Sequence, residues 1–155
     1  TAMEDLSDLK LVVHAHCLAD LAERIRHAQA GVEDAKEAGR SDTKSSAGDK
    51  HEVGRAMVQQ ELDKLEEQRS KLVALQHELG RIAIDRGHDQ VDFGALVTTD
   101  QGTYFIAIGL GPVEVDGATC YVISLASPIG QGLKGKRVGE QVYFNGRTIT
   151  VVSIA

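Results

Sequence analysis

The chain has 155 residues, with 17 basic and 23 acidic side chains and a formal net charge of −6. An acidic chain is a poor match for proteins that bind nucleic acid mainly through phosphate contacts, which need clustered lysine and arginine. No apolar run reaches the ~20 residues that a membrane-spanning helix needs, and no charged-then-apolar leader opens the chain. The two cysteines, Cys17 and Cys120, lie far apart without C-x-x-C spacing. We therefore expect a soluble cytoplasmic protein without a disulfide framework or membrane contact.

The first part of the chain, from about Glu4 to Ala38, has apolar residues at alternating spacings of three and four. Such a pattern is typical of a helix that packs lengthwise against another helix. Gly39 follows and predicts the end of the helix. The predicted seam is Leu11, His14, Leu18, Leu21, Ile25, Ala28, Val32 and Ala35.

A second helix is predicted to end at about Ile82, after a segment rich in Gly, Ser, Thr, Asp and Lys. Arg69 and Gln76 interrupt its apolar seam and are candidates for setting its register. Two arms joined by a short loop favour an antiparallel hairpin, and a parallel oligomer of separate helices is the alternative. We assign residues 1–84 to this hairpin, with a tip loop at about 39–52. The predicted seam is Val58, Leu62, Leu65, Arg69, Leu72, Gln76 and Leu79.

Two acids, Asp49 and Glu52, lie three residues apart in this predicted loop. If the helices form a hairpin, its bend is the point farthest from the rest of the protein, and the carboxylates there could enter a deep site on another molecule. The simpler interpretation is that both acids stabilise the start of the second helix through its dipole, with Asp49 as the N-cap.

Strand patterns follow a linker at residues 85–90, and we assign residues 91–155 to a β domain. The overall prediction is an α+β protein with a small antiparallel sheet and one short helix at about Pro128–Leu133, capped by Ser127. Asn145-Gly146 is a strong signal for a two-residue hairpin turn. The predicted strands are Phe93–Thr98, Tyr104–Ile108, Thr119–Ser124, Gln141–Phe144 and Thr148–Ile154.

The order of these features resembles the bacterial Gre transcript-cleavage factors. The clearest match is the stretch Ser-Pro-Ile-Gly followed by Gly-Lys-Arg-Val-Gly-Glu, over residues 127–140. In that family this stretch is the short helix and following turn of an FKBP-like domain. At the hairpin bend, Gly48-Asp49-x-x-Glu52 is similar to the family's Gly-Asp-x-x-Glu.

The resemblance implies a function and a set of residue roles. Gre factors insert their hairpin into the secondary channel of RNA polymerase, where the tip acids help to hold a second Mg²⁺ beside the polymerase's own metal. A backtracked transcript is then hydrolysed near its RNA 3′ end and elongation resumes. Asp49 and Glu52 would be these metal-assisting acids, and Ser127 and Pro128 would contact polymerase. Arg55, close to the acids in sequence, could meet RNA phosphate or polymerase carboxylates, and ordinary surface charge is the alternative. The chain would be an accessory factor and not an enzyme, would bind no metal alone, and would act as a monomer.

The chain also departs from the family pattern. Ala56 stands near the position where Gre tips carry an aromatic residue, Gln60 stands where they carry a basic residue, and Ala126 replaces an acid before Ser-Pro. Two alternatives therefore stay open: a regulator that occupies the same channel without cleavage, and a coiled-coil adaptor.

Other candidate sites are weaker. His14 and Cys17 share a helix face, but His16 points elsewhere and no third ligand is suitably spaced. Cys120 is expected in the core. Prolyl isomerase activity is not expected, because that chemistry needs an aromatic-lined pocket and we expect most of the six aromatic residues to fill the sheet core.

Overall fold

The computed structural model describes residues 2–45 and 49–155, and the side chains of residues 5–40 and 52–155. Over these ranges the helices are α1 (Ala2–Ser45), α2 (Asp49–Gly80) and α3 (Pro128–Leu133). The strands are β1 (Leu96–Thr99), β2 (Gly102–Ile106), β3 (Gly111–Val115), β4 (Ala118–Ile123), β5 (Gln141–Phe144) and β6 (Arg147–Ile154). Two long helices followed by a sheet with one short helix confirm the predicted α+β class.

The chain divides into two compact units, and both boundaries fall inside the long helices. One unit is Ala19–His77, and the other combines Thr1–Leu18 with Glu78–Ala155. The change from helix to strand near residue 85, from which the sequence-based domains were assigned, is therefore a change of secondary structure inside one unit.

The unit Ala19–His77 is an antiparallel helical hairpin. The guanidinium of Arg69 donates a hydrogen bond of 2.6 Å to Oε1 of Gln29. Ten residues later on α1, Gly39 lies against Val58, which precedes Arg69 on α2. The later residue on α1 thus contacts the earlier residue on α2, so the two helices run antiparallel. These contacts confirm the predicted hairpin within a single chain. The α2 seam is buried or half-buried throughout, as predicted.

Gly39 does not end the first helix, and that prediction is wrong. Helix α1 continues to Ser45, so the segment that joins the helices contains residues 46–48, which lie outside the described residues. Gly39 is buried, and a Cβ atom placed there would lie 2.7 Å from Cγ1 of Val58. The glycine therefore allows the helices to approach closely, a role that its local sequence does not distinguish from a stop signal.

The first turns of α1 pack against the sheet, and the predicted seam is wrong at its start. Leu11 is 47% exposed, whereas Leu6, Val13 and Cys17 are buried. The His14 ring meets the fully buried ring of Phe105 edge-on, with centroids 6.3 Å apart. This part of α1 thus packs against the sheet as well as against a helix. Its buried face therefore differs from the seam predicted for helix–helix packing alone.

The sheet has six strands in the order β3-β4-β2-β1-β6-β5. It is mixed, and the prediction of a purely antiparallel sheet is corrected by β2 and β4, which pair in parallel. Strand β3, which is not among the predicted strands, occupies the edge beside β4. Pro112 lies in this strand, and an edge strand tolerates proline because one side of its backbone needs no partner in the sheet.

The predicted Asn145-Gly146 turn and the predicted short helix are confirmed. Asn145 and Gly146 both have positive φ, 51° and 75°, and join β5 to β6 as a two-residue turn in which Phe144 pairs with Arg147. Helix α3 begins at Pro128 with Ser127 as its N-cap, and Leu133 is fully buried.

The core of this unit depends on branched aliphatic residues, and only one aromatic ring is fully buried. That ring is Phe105, whereas Tyr104 and Phe144 are half-buried, Tyr121 is 40% exposed and Tyr143 is 77% exposed. The expectation that most aromatics fill the sheet core is therefore wrong. The main buried cluster is Val91, Ala95, Val97, Ile106, Leu133, Val142, Val151 and Ile154.

The segment after α2 is tied to α1 by a buried lysine. Lys10 is 2% exposed, and its Nζ donates a hydrogen bond of 2.8 Å to the carbonyl oxygen of Arg86. Burial lowers the pKa of Lys10, partly offset by the nearby charge of Asp85. Burial also lowers the pKa of His88, and the positive charges of Lys10 and Arg86 add to that effect. The residues predicted as a linker are therefore an integral part of this unit.

Candidate functional site

The first turn of α2 carries the two predicted acids. The helix begins at Asp49, whose backbone is described and whose side chain lies outside the described residues. Glu52 is exposed and forms no hydrogen bond or ion pair with the residues that the structure describes. Positions three apart on a helix share a face, so positions 49 and 52 lie on one side of the first turn. This places one solvated carboxylate, and the backbone position of a second, at the loop end of the hairpin.

Tight helix packing supports this end of the hairpin. Gly39 on α1 and Val58 on α2 are in close contact, within two turns of Glu52. From Ala19 to Ser45 the helix rises about 40 Å, so Ser45 lies at the opposite end of its unit from Ala19, where the chain enters. The acids are therefore carried at the end of a two-helix stem.

Arg55, the predicted contact on the hairpin, lines a hollow between the two helices. The hollow has a volume of about 250 Å³ and also receives Lys36 and Arg40 from α1. Lys36 lies 3.9 Å from a carboxylate oxygen of Glu33, and Arg40 is paired with an acid one turn away on α1. Arg55 has no hydrogen bond or ion pair within the described part of the chain. A positive group is thus available one turn beyond Glu52.

The second predicted contact region, Ser127 and Pro128, is held rigidly by the start of α3. The Ser127 hydroxyl donates to the carbonyl oxygen of Ser124 at 2.7 Å and accepts from the Gly130 amide at 3.1 Å. A Cβ atom at Gly130 would lie 2.3 Å from the Ser124 carbonyl oxygen, so only glycine fits there. Ser127 is therefore primarily a structural cap, and Pro128 is the exposed member of the pair.

Beside this loop lies a hollow that the sequence reasoning missed. It has a volume of about 380 Å³, and Phe93, Ala107 and Leu125 supply apolar lining while Glu78 and Arg81 bring opposite charges. Phe93 was predicted as the first residue of a strand, but it precedes β1 and is half-buried at the surface. The feature of the sequence that could have indicated this hollow is the position of Phe93, an aromatic residue between the end of a helix and the start of a strand.

Residues 86–155 match a family model described as "Transcription elongation factor, GreA/GreB, C-term". The match covers all six strands and α3. Residues 86–155 form a Gre-family C-terminal domain. Among the curated proteins compared with it, none matches the chain.

The Gre-family domain indicates a broad function in transcription elongation. Gre-family factors are accessory transcription elongation factors, and the domain implies RNA polymerase as the partner. Neither long helix is apolar enough over its described residues to cross a membrane. The match includes Ser127 and Pro128 and lies outside the hairpin, so the acids of α2 depend on the sequence resemblance and on their position.

The structure also describes the other histidine and cysteine residues that were considered as candidate sites. His14 Nε2 lies 3.0 Å from the carbonyl oxygen of Leu79, Cys17 is buried and His16 is exposed. Cys120 is buried in the core as predicted, and burial raises the pKa of its thiol to about 12. Among the described side chains, no three His, Cys, Asp or Glu residues form a group that could hold a metal ion.

Proposed function

We propose that this chain binds RNA polymerase through its secondary channel and stimulates the cleavage of backtracked transcripts, so that elongation restarts. The observation that carries the proposal is the Gre-family C-terminal domain at residues 86–155, joined to a two-helix hairpin whose second helix opens with the acids Asp49 and Glu52. The hairpin would bring these acids close to the RNA 3′ end in the polymerase active site.

The acids of α2 have the right chemistry for a shared magnesium ion. Mg²⁺ prefers carboxylate and water oxygens and retains several waters, so two carboxylates on one face can contribute to a site without enclosing the ion. Glu52 is exposed and unpaired among the described residues, which leaves its oxygens available. When held jointly by Asp49, Glu52 and the polymerase, the ion would supply Lewis-acid activation of water for phosphodiester hydrolysis.

The chain's own residues would position the acids and bind the partner. Arg55, one turn after Glu52 and without an ion-pair partner in the described residues, would contact RNA phosphate or a polymerase carboxylate. Pro128 is exposed on the capped start of α3 and would contact polymerase, while Ser127 holds that turn in place. The hollow lined by Phe93 and Leu125 lies beside this loop and would extend the contact.

A second function has a specific observation in its favour. Ala56 and Gln60 are both exposed on α2, at positions where Gre tips carry an aromatic and a basic residue. A hairpin that lacks these groups would still fill the channel. The alternative is therefore a regulator that slows nucleotide addition without stimulating cleavage.

A backtracked elongation complex with a 3′-labelled transcript separates these functions. The proposed function predicts faster release of short labelled RNA fragments in the presence of the chain, and loss of that stimulation in Asp49→Asn and Glu52→Gln. Binding to polymerase should be unchanged in both variants. Glu66→Gln is the matched control, since Glu66 is an exposed acid farther along the same helix. Unchanged cleavage with slower elongation would favour the regulator, and no binding to polymerase would reject both functions.

A further inference from the structure

An aromatic-lined cavity lies in the β domain, and none of its lining residues is one assigned to polymerase binding. Its volume is about 380 Å³, which is within the range of small-ligand sites. The rings of Tyr104 and Tyr121, which pair across β2 and β4, lie with centroids 5.6 Å apart and planes inclined by 31°. Phe144, Ile129 and Ile149 complete the apolar lining.

The walls of this cavity are held in place by the core. Tyr104, Phe144 and Ile129 each pack with one side against the main buried cluster. Tyr121 lies over Gly102, where an added Cβ atom would come within 3.6 Å of the tyrosine ring. The cavity is therefore preformed, and a ligand that enters it would not have to order its walls.

Arg147 is the one charged residue that lines the cavity in the described structure. It is exposed and forms no hydrogen bond or ion pair with the described residues. The tight Asn145-Gly146 turn fixes its backbone directly opposite Phe144. A guanidinium with free donors thus stands at the edge of an aromatic surface.

These groups together select a class of ligand. The phenol of Tyr104 is neutral at ordinary pH and can donate a hydrogen bond. Burial and the neighbouring Tyr121 raise its pKa further. An arginine fork binds a carboxylate through two parallel hydrogen bonds, and the rings favour a flat or branched apolar group.

We propose that this cavity binds a small organic acid whose apolar group lies against Tyr104, Tyr121 and Phe144 while its carboxylate pairs with Arg147. This site is independent of the proposed action on transcripts. The same chemistry is available from a free acid or from an apolar residue at the C-terminus of a peptide.

Titrations of the full chain followed by NMR of its aromatic side chains test this site. The free-acid probe is phenylacetate, and the peptide probe is Gly-Gly-Phe with a free carboxylate. At least one should give saturable shifts of the tyrosine and Phe144 signals, and the tighter of the two identifies the source. The neutral counterparts, phenylacetamide and amidated Gly-Gly-Phe, should bind about tenfold more weakly, because a charge-assisted hydrogen bond is lost.

Arg147→Gln should weaken the charged probe by a similar factor while leaving the neutral probe unchanged. Arg137→Gln is the matched control, since Arg137 is an exposed arginine of the same domain outside the cavity. The proposal is overturned if neither probe saturates, if the neutral probes bind as tightly as the acids, or if Arg147→Gln has no more effect than Arg137→Gln.

Discussion

Gly39 of α1 lies so close to Val58 of α2 that a Cβ atom at position 39 would approach Val58 Cγ1 to 2.7 Å. This is shorter than a normal carbon–carbon contact, and the branched valine has few rotamers in a helix with which to move away. The side chain of Val58 therefore packs directly against the backbone of α1 at Gly39, in the part of the hairpin that precedes its loop. The packing of the acid-bearing end depends on this glycine.

Gly39→Ala should destabilise the hairpin although alanine is the better helix former. Overpacking costs about 1–3 kcal/mol, which exceeds the ~1 kcal/mol that alanine gains over glycine in a helix. Urea unfolding followed by helical circular dichroism measures the difference. Gly54→Ala is the control, because no described atom lies within 4 Å of its added Cβ, and it should be stabilising by about 0.5–1 kcal/mol. If Gly39→Ala is as stabilising as Gly54→Ala, the close approach is not real.

The case of Gly39 also shows where sequence reasoning stops. Glycine before a polar segment is typical of a helix end, and only the presence of Val58 on another helix changes its meaning. Pro112 is similar, because its strand is possible only at the edge of the sheet. By contrast, the Asn145-Gly146 turn and the Ser127 cap depend on residues next to each other in the chain, and both were predictable.

Some features of the candidate site could likewise be predicted from neighbouring residues in the sequence, and others could not. The spacing of Asp49 and Glu52 and the Ser127-Pro128 motif are visible in the sequence. The hollow at Phe93 and the cavity at Tyr104 are not, because they combine strands, helix and turn from distant parts of the chain. The prediction that most aromatic residues are buried was wrong for the same reason. Tyr104 and Tyr121 meet through a parallel strand pairing that the sequence did not predict.

The hydrogen bond between Arg69 and Gln29 should contribute to the register of the hairpin. We expect a coupling free energy of about 1–2 kcal/mol in a double-mutant cycle of Arg69→Met and Gln29→Met, because the bond is charge-assisted and half-buried. Methionine keeps the apolar stem at both positions, so the cycle isolates the polar contact. A coupling close to zero in urea unfolding would mean that the two side chains act independently.

Ser127→Ala should lower the stability of the β domain by about 1 kcal/mol, since the Gly130 amide loses its cap. Ser127→Thr retains the hydroxyl and should recover most of that loss. Thermal unfolding of the three chains provides the comparison. Equal melting temperatures for alanine and serine at this position would contradict the capping role.

The buried thiol of Cys120 should make the folded chain less stable at alkaline pH. Its thiol has a pKa raised from 9.0 to about 12 in the folded chain, mainly by burial. Above pH 9 the unfolded chain releases this proton while the folded chain retains it, so the contribution to stability is complete below pH 9 and is lost as the pH rises toward about 12. Cys120→Val should remove this part of the slope, which is at most about 1.4 kcal/mol per pH unit.

Urea unfolding of both chains between pH 8 and about pH 10.5 tests the thiol contribution without reaching full alkaline denaturation. The two chains should have parallel stabilities up to pH 9 and should diverge above it, with the valine variant declining less. Parallel curves over the whole range would show that the thiol ionises equally in both states.

The magnesium dependence of transcript cleavage tests the central claim most directly. The rate of cleavage in a backtracked complex should reach half its maximum at a lower Mg²⁺ concentration with this chain than with Glu52→Gln, at saturating amounts of either protein. Glu66→Gln should behave like the unchanged chain. If all three proteins give the same half-maximal Mg²⁺ concentration, the acids at the start of α2 do not act on the metal.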